Sequence, residues 1–177
     1  MRPTEDLRQE HESVLLMLAI LGRIAERLEQ GGAVEPAHFD QVVDFLRGFV
    51  DKCHHAKEEI SLFPALEVAG VLHEGGPIGV MLGEHERGRG LVRQMAAAAP
   101  PDRAGFARAV REYAALLTQH IAKENNVLFP MAERVLSAGT EVRLEQEFAD
   151  IEERVVGAGK HEQYHSLLHS LRDFYRA

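Results

Sequence analysis

The chain has 177 residues and a formal charge of −8, enough for one well-buried core and too few for two independent domains to be expected. Lysine and arginine are interspersed with acids, which argues against nucleic acid and the concentrated basic footprint it demands. The opening MRPTEDLRQEHE lacks the apolar stretch of a signal peptide, and no apolar run approaches the roughly 20 residues of a membrane span, so a cytoplasmic protein with no membrane partner is expected. Ala, Leu, Glu and Arg are abundant and Trp is absent. No segment alternates β-branched with polar residues, so the composition favours an all-α class.

In chain order, Leu7, Val14, Leu15, Leu18, Leu21, Ala25 and Leu28 carry the three-and-four spacing of an amphipathic helix over residues 4–29, with Thr4 as its expected N-cap. Phe39, Val42, Val43, Leu46, Phe49, Val50, Leu62 and Phe63 continue that period through a second helix over 36–66, which Pro64 is expected to kink or stop. Residues 69–77 hold three glycines and read as a connection. A third helix follows Met81, Leu82, His85, Val92 and Met95 over 78–99 until Pro100 and Pro101. The fourth starts after Asp102 and carries Phe106, Val110, Tyr113, Leu116, Ile121 and Leu128 to Pro130. Beyond Gly139 the apolar period resumes, broken at Gly157-Ala158-Gly159, which predicts one or two further helices. Residues 1–138 are thus expected to form an up-and-down four-helix bundle of two hairpin repeats, with 139–177 as a helical extension on the same domain.

Residues 54–64, HHAKEEISLFP, align without gaps to residues 120–130, HIAKENNVLFP, and the EHE around His11 recurs around His85. Two equivalent hairpins related by a pseudo-two-fold axis would set matching side chains opposite each other in a bundle core. His54 with Glu58, and His120 with Glu124, stand four apart on one helical face. That face is otherwise apolar: Val50 and Leu62 flank the first pair, Leu116 and Leu128 the second. His11 and His85 share faces with Leu7, Val14 and Leu18, and with Ile78, Met81 and Val92.

A lone glutamate buried in such a seam would cost several kcal/mol, and a buried neutral histidine needs partners for both nitrogens. A cation resolves both demands. Imidazole with carboxylate suits iron foremost, with manganese or zinc as alternatives, whereas a soft-metal site would want thiolates and Cys53 is the only cysteine. Carboxylates from opposed helices can each bridge two ions. The six expected ligands are therefore His11, His54, Glu58, His85, His120 and Glu124. A rival register, His55 with Glu59, runs back into Asp51 and Lys52 and is set aside in favour of His54 and Glu58.

This pattern, histidine on helices one and three and HxxxE running into LFP on helices two and four, resembles the hemerythrin-like HHE cation-binding family over residues 11–130. The resemblance implies an oxo- or hydroxo-bridged pair of iron ions that binds oxygen, senses oxygen or iron, or handles nitric oxide or peroxide. Oxygen carriers of that family have a second histidine four residues from the third-helix ligand, where this chain has Met81 and Arg89. That departure turns the expectation from carriage toward reaction with a small oxidant. The alternative is an iron- or oxygen-responsive protein that acts, without turnover, through a separate partner. His161, in phase with Tyr164, Leu168 and Leu171, is a candidate extra ligand or lid residue, and Glu12, Glu84 and Glu86 are candidate acceptors for imidazole N–H groups. Tyr113 and Cys53 read as packed core side chains.

Overall fold

The computed structural model describes residues 1–98 and 102–177, and among these every regular element is helical. Helix α1 spans Pro3–Glu29. Helix α2 runs over residues 36–68 as the abutting segments Pro36–Phe45, Leu46–His55, Lys57–Leu62 and Phe63–Val68. Helix α3 is Pro77–Ala98, and α4 covers residues 103–135 as Arg103–Lys123, Glu124–Leu128 and Phe129–Val135. Two further helices follow: α5 over 138–157, comprising Ala138–Ile151 and Glu152–Gly157, and α6 at Lys160–Tyr175. The expected end of the third helix at Ala99 and its stop at Pro100 and Pro101 lie outside the described residues.

The order of buried residues along each helix reveals the topology. Two apolar clusters form: one holds Leu7, Leu62, Leu66, Ile78, Met81, Leu128 and Phe129, the other Val14 to Leu28, Phe39 to Val50, Leu91 to Ala98 and Phe106 to Ile121. Helices α1 and α3 meet the first cluster before the second, and α2 and α4 meet them in reverse, which makes an up-and-down bundle. Between the clusters lies a layer of buried His11, His54, His55, Glu58, His85, His120 and Glu124. It is this polar layer that divides the core in two.

Leu144 and Phe148 of α5 complete the first cluster, and Tyr164, Leu168, Leu171 and Tyr175 of α6 complete the second. Between them, Gly157 and Gly159 adopt φ of 103° and 77°, a left-handed turn that a side-chain-bearing residue would resist. Tyr164 packs over Gly48 so closely that a Cβ there would lie 1.8 Å from the tyrosine oxygen.

Three local expectations differ from what is found. The N-cap of α1 is Arg2, whose backbone N–H donates to Glu5 at 2.9 Å, while the Thr4 hydroxyl donates to Glu133 at 2.8 Å. Helix α2 continues through Pro64 to Val68, just beyond the expected end at Leu66, and α4 continues through Pro130 to Val135 instead of stopping there. In both, the turns just before the proline are π-helical, with bonds closing over five residues, so the missing N–H falls where the hydrogen-bond ladder is already changing step.

Candidate metal centre

The polar layer brings all six residues predicted from sequence to one place, together with a seventh. Each of two groups of ligand atoms lies within 4.8 Å of mutual separation: His55, Glu58, His85 and His120, and His11, His54, Glu58 and Glu124. Glu58 belongs to both, with Oε1 3.6 Å from His54 Nε2 and Oε2 3.2 Å from His85 Nε2. Glu124 straddles the same divide, with Oε2 3.1 Å from His11 Nε2 and Oε1 3.2 Å from His120 Nε2. Two carboxylates thus span the space between a histidine pair on one side and a histidine trio on the other.

His55 is the residue that the helical-face argument set aside. In an α-helix adjacent side chains diverge by about a quarter turn or more, so His54 and His55 should not both face inward. The segment Leu46–His55 is π-helical. Its wider turn carries more residues per revolution and narrows the angle between neighbours, and both rings are buried. Wide turns of this kind often mark functional positions. Glu59, its proposed partner in the rival register, stays outside the ligand groups and accepts from His85 Nδ1 at 2.7 Å.

The outer contacts repeat the duplication residue by residue. His54 Nδ1 donates to Glu10 and His120 Nδ1 to Glu84, each at 2.8 Å, and each acid directly precedes the histidine of its own helix. His11 Nδ1 donates to Asn125 at 2.8 Å and His85 Nδ1 to Glu59, each acceptor directly following a glutamate of the centre. Lys57 and Lys123 donate to Glu10 and Glu84 respectively. Fixing the proton on Nδ1 turns Nε2 inward as a lone-pair donor. Of the acceptors expected from sequence, Glu84 is found in place, Glu86 binds Arg89 instead, and Glu12 is exposed. Asn125 and Glu59 were legible only as the positions after the two glutamates.

The halves differ around His55. His55, Asp51 and Arg89 correspond, under the repeat, to Ile121, Leu117 and Leu15. Arg89 Nε donates to Asp51 at 2.8 Å, and another of its nitrogens to Glu59 at 2.7 Å. Asp51 in turn lies 3.5 Å from His55 Nδ1. Arg89 therefore ties together the acceptors behind His55 and His85.

The donor set fits a cation. Both oxygens of Glu58 and of Glu124, Nε2 of His11 and His54, and both nitrogens of His55 are buried without a hydrogen-bond partner among the described residues. Burial, and then the nearby Glu124, push the Glu58 carboxyl well above its ordinary range. For Glu124, burial is outweighed by His11 and His120, which hold it well below. Desolvation pulls His54 and His55 well below the usual imidazole range, reinforced by His11 and His85 respectively, leaving the neutral rings that ligation requires. Two carboxylates with no hydrogen-bond partner among the described residues, set among five buried imidazoles of which only His85 and His120 pair with each other, at 3.2 Å, are costly as a bare polar cluster and favourable around positive charge.

His161 lies apart from this layer. It stacks on Phe49 at 5.5 Å and forms a separate group with Glu10 and Glu152. That group is already served by the buried Lys57 ammonium, which donates to Glu10 at 2.6 Å and Glu152 at 2.5 Å. Burial of Lys57 is more than offset by Glu10 and Asp6, so its charge is held firmly. Cys53 is buried beside Glu10, and desolvation raises its thiol far from ionisation.

An antiparallel bundle with histidines and shared carboxylates across its waist defines a class of helical metal-binding proteins. Residues 2–132 match the hemerythrin HHE cation binding domain, and the chain belongs to that family. It is 29% identical over 160 residues to the uncharacterized proteins Mb2018 of Mycobacterium bovis and Rv1995 of Mycobacterium tuberculosis, covering 86% of this chain. The chain spans 62% of the length of those relatives. No solved structure matches it. Among the described residues, no helix is long and apolar enough to cross a membrane.

Proposed function

We propose that this chain holds a non-haem di-iron centre that binds or reacts with a small oxidant such as oxygen, peroxide or nitric oxide. In this reading His55, His85 and His120 would hold one ion and His11 and His54 the other, with Glu58 and Glu124 each offering one oxygen to either side. The observation that carries it is the pair of fully buried carboxylates, each with one oxygen toward either histidine group and neither with a hydrogen-bond partner among the described residues. The mixed imidazole and carboxylate set favours iron, with manganese or zinc able to occupy the same donors.

When bound, a di-iron pair supplies redox equivalents and exchangeable positions for a small ligand. The protein's part is to orient and to exclude. Glu10, Glu59, Glu84 and Asn125 fix the imidazole tautomers, and Phe129 and Phe63 stack on His11 and His85 at 5.4 and 5.9 Å, closing the apolar side of the layer. The test is metal analysis of the purified chain together with its optical spectrum before and after oxygen, peroxide and nitric oxide. A metal-bound spectrum that changes with at least one of them is expected; an iron spectrum indifferent to all three contradicts the reading.

A sensing role through a separate partner is favoured by one contact. Glu152 of α5 binds Lys57, Lys57 binds Glu10, and Glu10 holds His54, so a change at His54 has a direct path to the C-terminal helices. Metal-dependent protection of the segment beyond Gly139 from protease supports this role, and identical digestion with and without metal contradicts it.

A further inference from the structure

A cavity of about 130 Å³ opens between α2, α3 and α4. His55 and Tyr113 form its floor, Asp51 and Arg89 its wall, and Arg47 and Arg93 its mouth. The floor is buried, the wall half-buried and the two mouth arginines exposed. Arg89 is committed to Asp51, Glu59 and Glu86, whereas Arg47 and Arg93 make no ion pair among the described residues. Two uncommitted guanidinium groups around one small opening are notable in a chain of formal charge −8.

Their placement is not a product of the duplication. The repeat equivalents of Arg93, Arg89, Asp51 and His55 are Ala19, Leu15, Leu117 and Ile121, so the opposite half has neither the charge nor the polar wall. The cavity therefore lies in a sector in which this chain departs from its own symmetry.

We propose that this cavity is a binding and access site for a small inorganic oxyanion, of the size and charge of nitrite, which Arg47 and Arg93 draw in and hold above His55 and Tyr113. Guanidinium groups present planar forks of N–H donors matched to oxyanions, and a cationic opening in a low-dielectric wall raises the local concentration of small anions. Asp51 does not oppose this, because Arg89 and His55 already face it. The volume admits a few non-hydrogen atoms and excludes a nucleotide or sugar phosphate. The proposal rests on the di-metal reading for the anion's destination, and on the cavity alone for its binding.

The test is calorimetric titration of the full-length protein, as purified, with sodium nitrite at constant ionic strength. Saturable binding of one nitrite per chain is expected, with a Kd raised roughly tenfold or more in Arg47→Gln/Arg93→Gln and largely restored in Arg47→Lys/Arg93→Lys. The response of the optical spectrum to uncharged nitric oxide should be the same in all three proteins. Both arginines are exposed, so the variants should fold, which their thermal melting checks. Absence of saturable nitrite binding, or equal affinity in the glutamine variant, overturns the proposal. So does nitrite binding that a chelator abolishes and the arginine changes leave intact, since the anion would then sit on metal alone. Arginine-dependent binding in protein found to contain no metal upholds the cavity and sinks only the di-metal reading.

Discussion

The imidazoles of His55 and His85 lie face to face, with centroids 3.8 Å apart and planes 16° from parallel. Two rings stacked so closely in a buried site cannot both be charged, and His85 adds to the desolvation that pulls His55 well below the ordinary imidazole range. Together with His120, whose ring centroid is 4.9 Å from that of His85 and 5.9 Å from that of His55, they make the three-histidine side of the layer. The first expectation follows from this grouping. His55→Ile places in α2 the residue that α4 carries at Ile121, so packing should be conserved while one donor is lost. Bound metal should fall selectively, toward one ion per chain, when the protein is dialysed against a weak chelator; unchanged metal content would remove His55 from the centre.

Arg89 holds Asp51 and Glu59, the acceptors behind those two rings. Loss of such outer partners typically weakens metal affinity about 10- to 100-fold. Arg89→Gln is expected to do so in a chelator competition assay, while Arg87→Gln, at an exposed neighbouring position, leaves affinity unchanged. Equal affinities for the two variants would reduce Arg89 to a surface ion pair.

Gly48 is where α6 comes closest to α2. A methyl group there would overlap the Tyr164 hydroxyl, and because Tyr164 is buried the ring has little room to retreat. Gly48→Ala should cost about 1–3 kcal/mol of stability through overpacking. Thermal melting should show the loss, protease should cut residues 160–175 more readily, and a second change, Tyr164→Phe, should recover part of both. If Gly48→Ala melts as wild type does, the contact is looser than the structure has it.

His38 reports on the other end of the same helix. Its Nδ1 is 2.6 Å from the Tyr175 hydroxyl, and desolvation lowers its pKa. The folded state then prefers the neutral ring, so the unfolded chain binds more protons once pH drops below the unperturbed value of about 6.5. The stability this group confers is complete above that pH and is lost as pH falls through it toward the lowered folded value. Melting temperature measured from pH 7.5 to 5.5 should fall more steeply for wild type than for His38→Gln. Parallel slopes would show that the ring titrates alike in both states.

Most of the bundle could be read from sequence because its signals are periodic. Helical spacing located all four long helices, the glycines at 157 and 159 located the break before α6, and the gapless repeat located His54, Glu58, His120 and Glu124. His55 escaped because a helical wheel assumes one fixed angle per residue, and the π-helical turns of Leu46–His55 violate that assumption. The same irregularity let α2 and α4 continue past Pro64 and Pro130. The link from Arg89 to Asp51 crosses between α3 and α2, and no spacing within either helix encodes it. Glu10 was likewise hidden, since its partner His54 is on another helix and its second partner, Lys57, is a buried charge that apolar periodicity cannot flag.

The layer's central claim is that Glu58 and Glu124 share two cations. Its most direct measurement is the ratio of metal to protein in the full chain purified from iron-supplemented cells, beside the Glu58→Leu/Glu124→Leu variant. The wild type is expected to carry two metal ions per chain, and the variant none, since both ions lose their shared carboxylates. A wild type without metal, accompanied by a variant that melts at a higher temperature, would instead make the seven buried side chains a polar defect in the core and contradict the assignment.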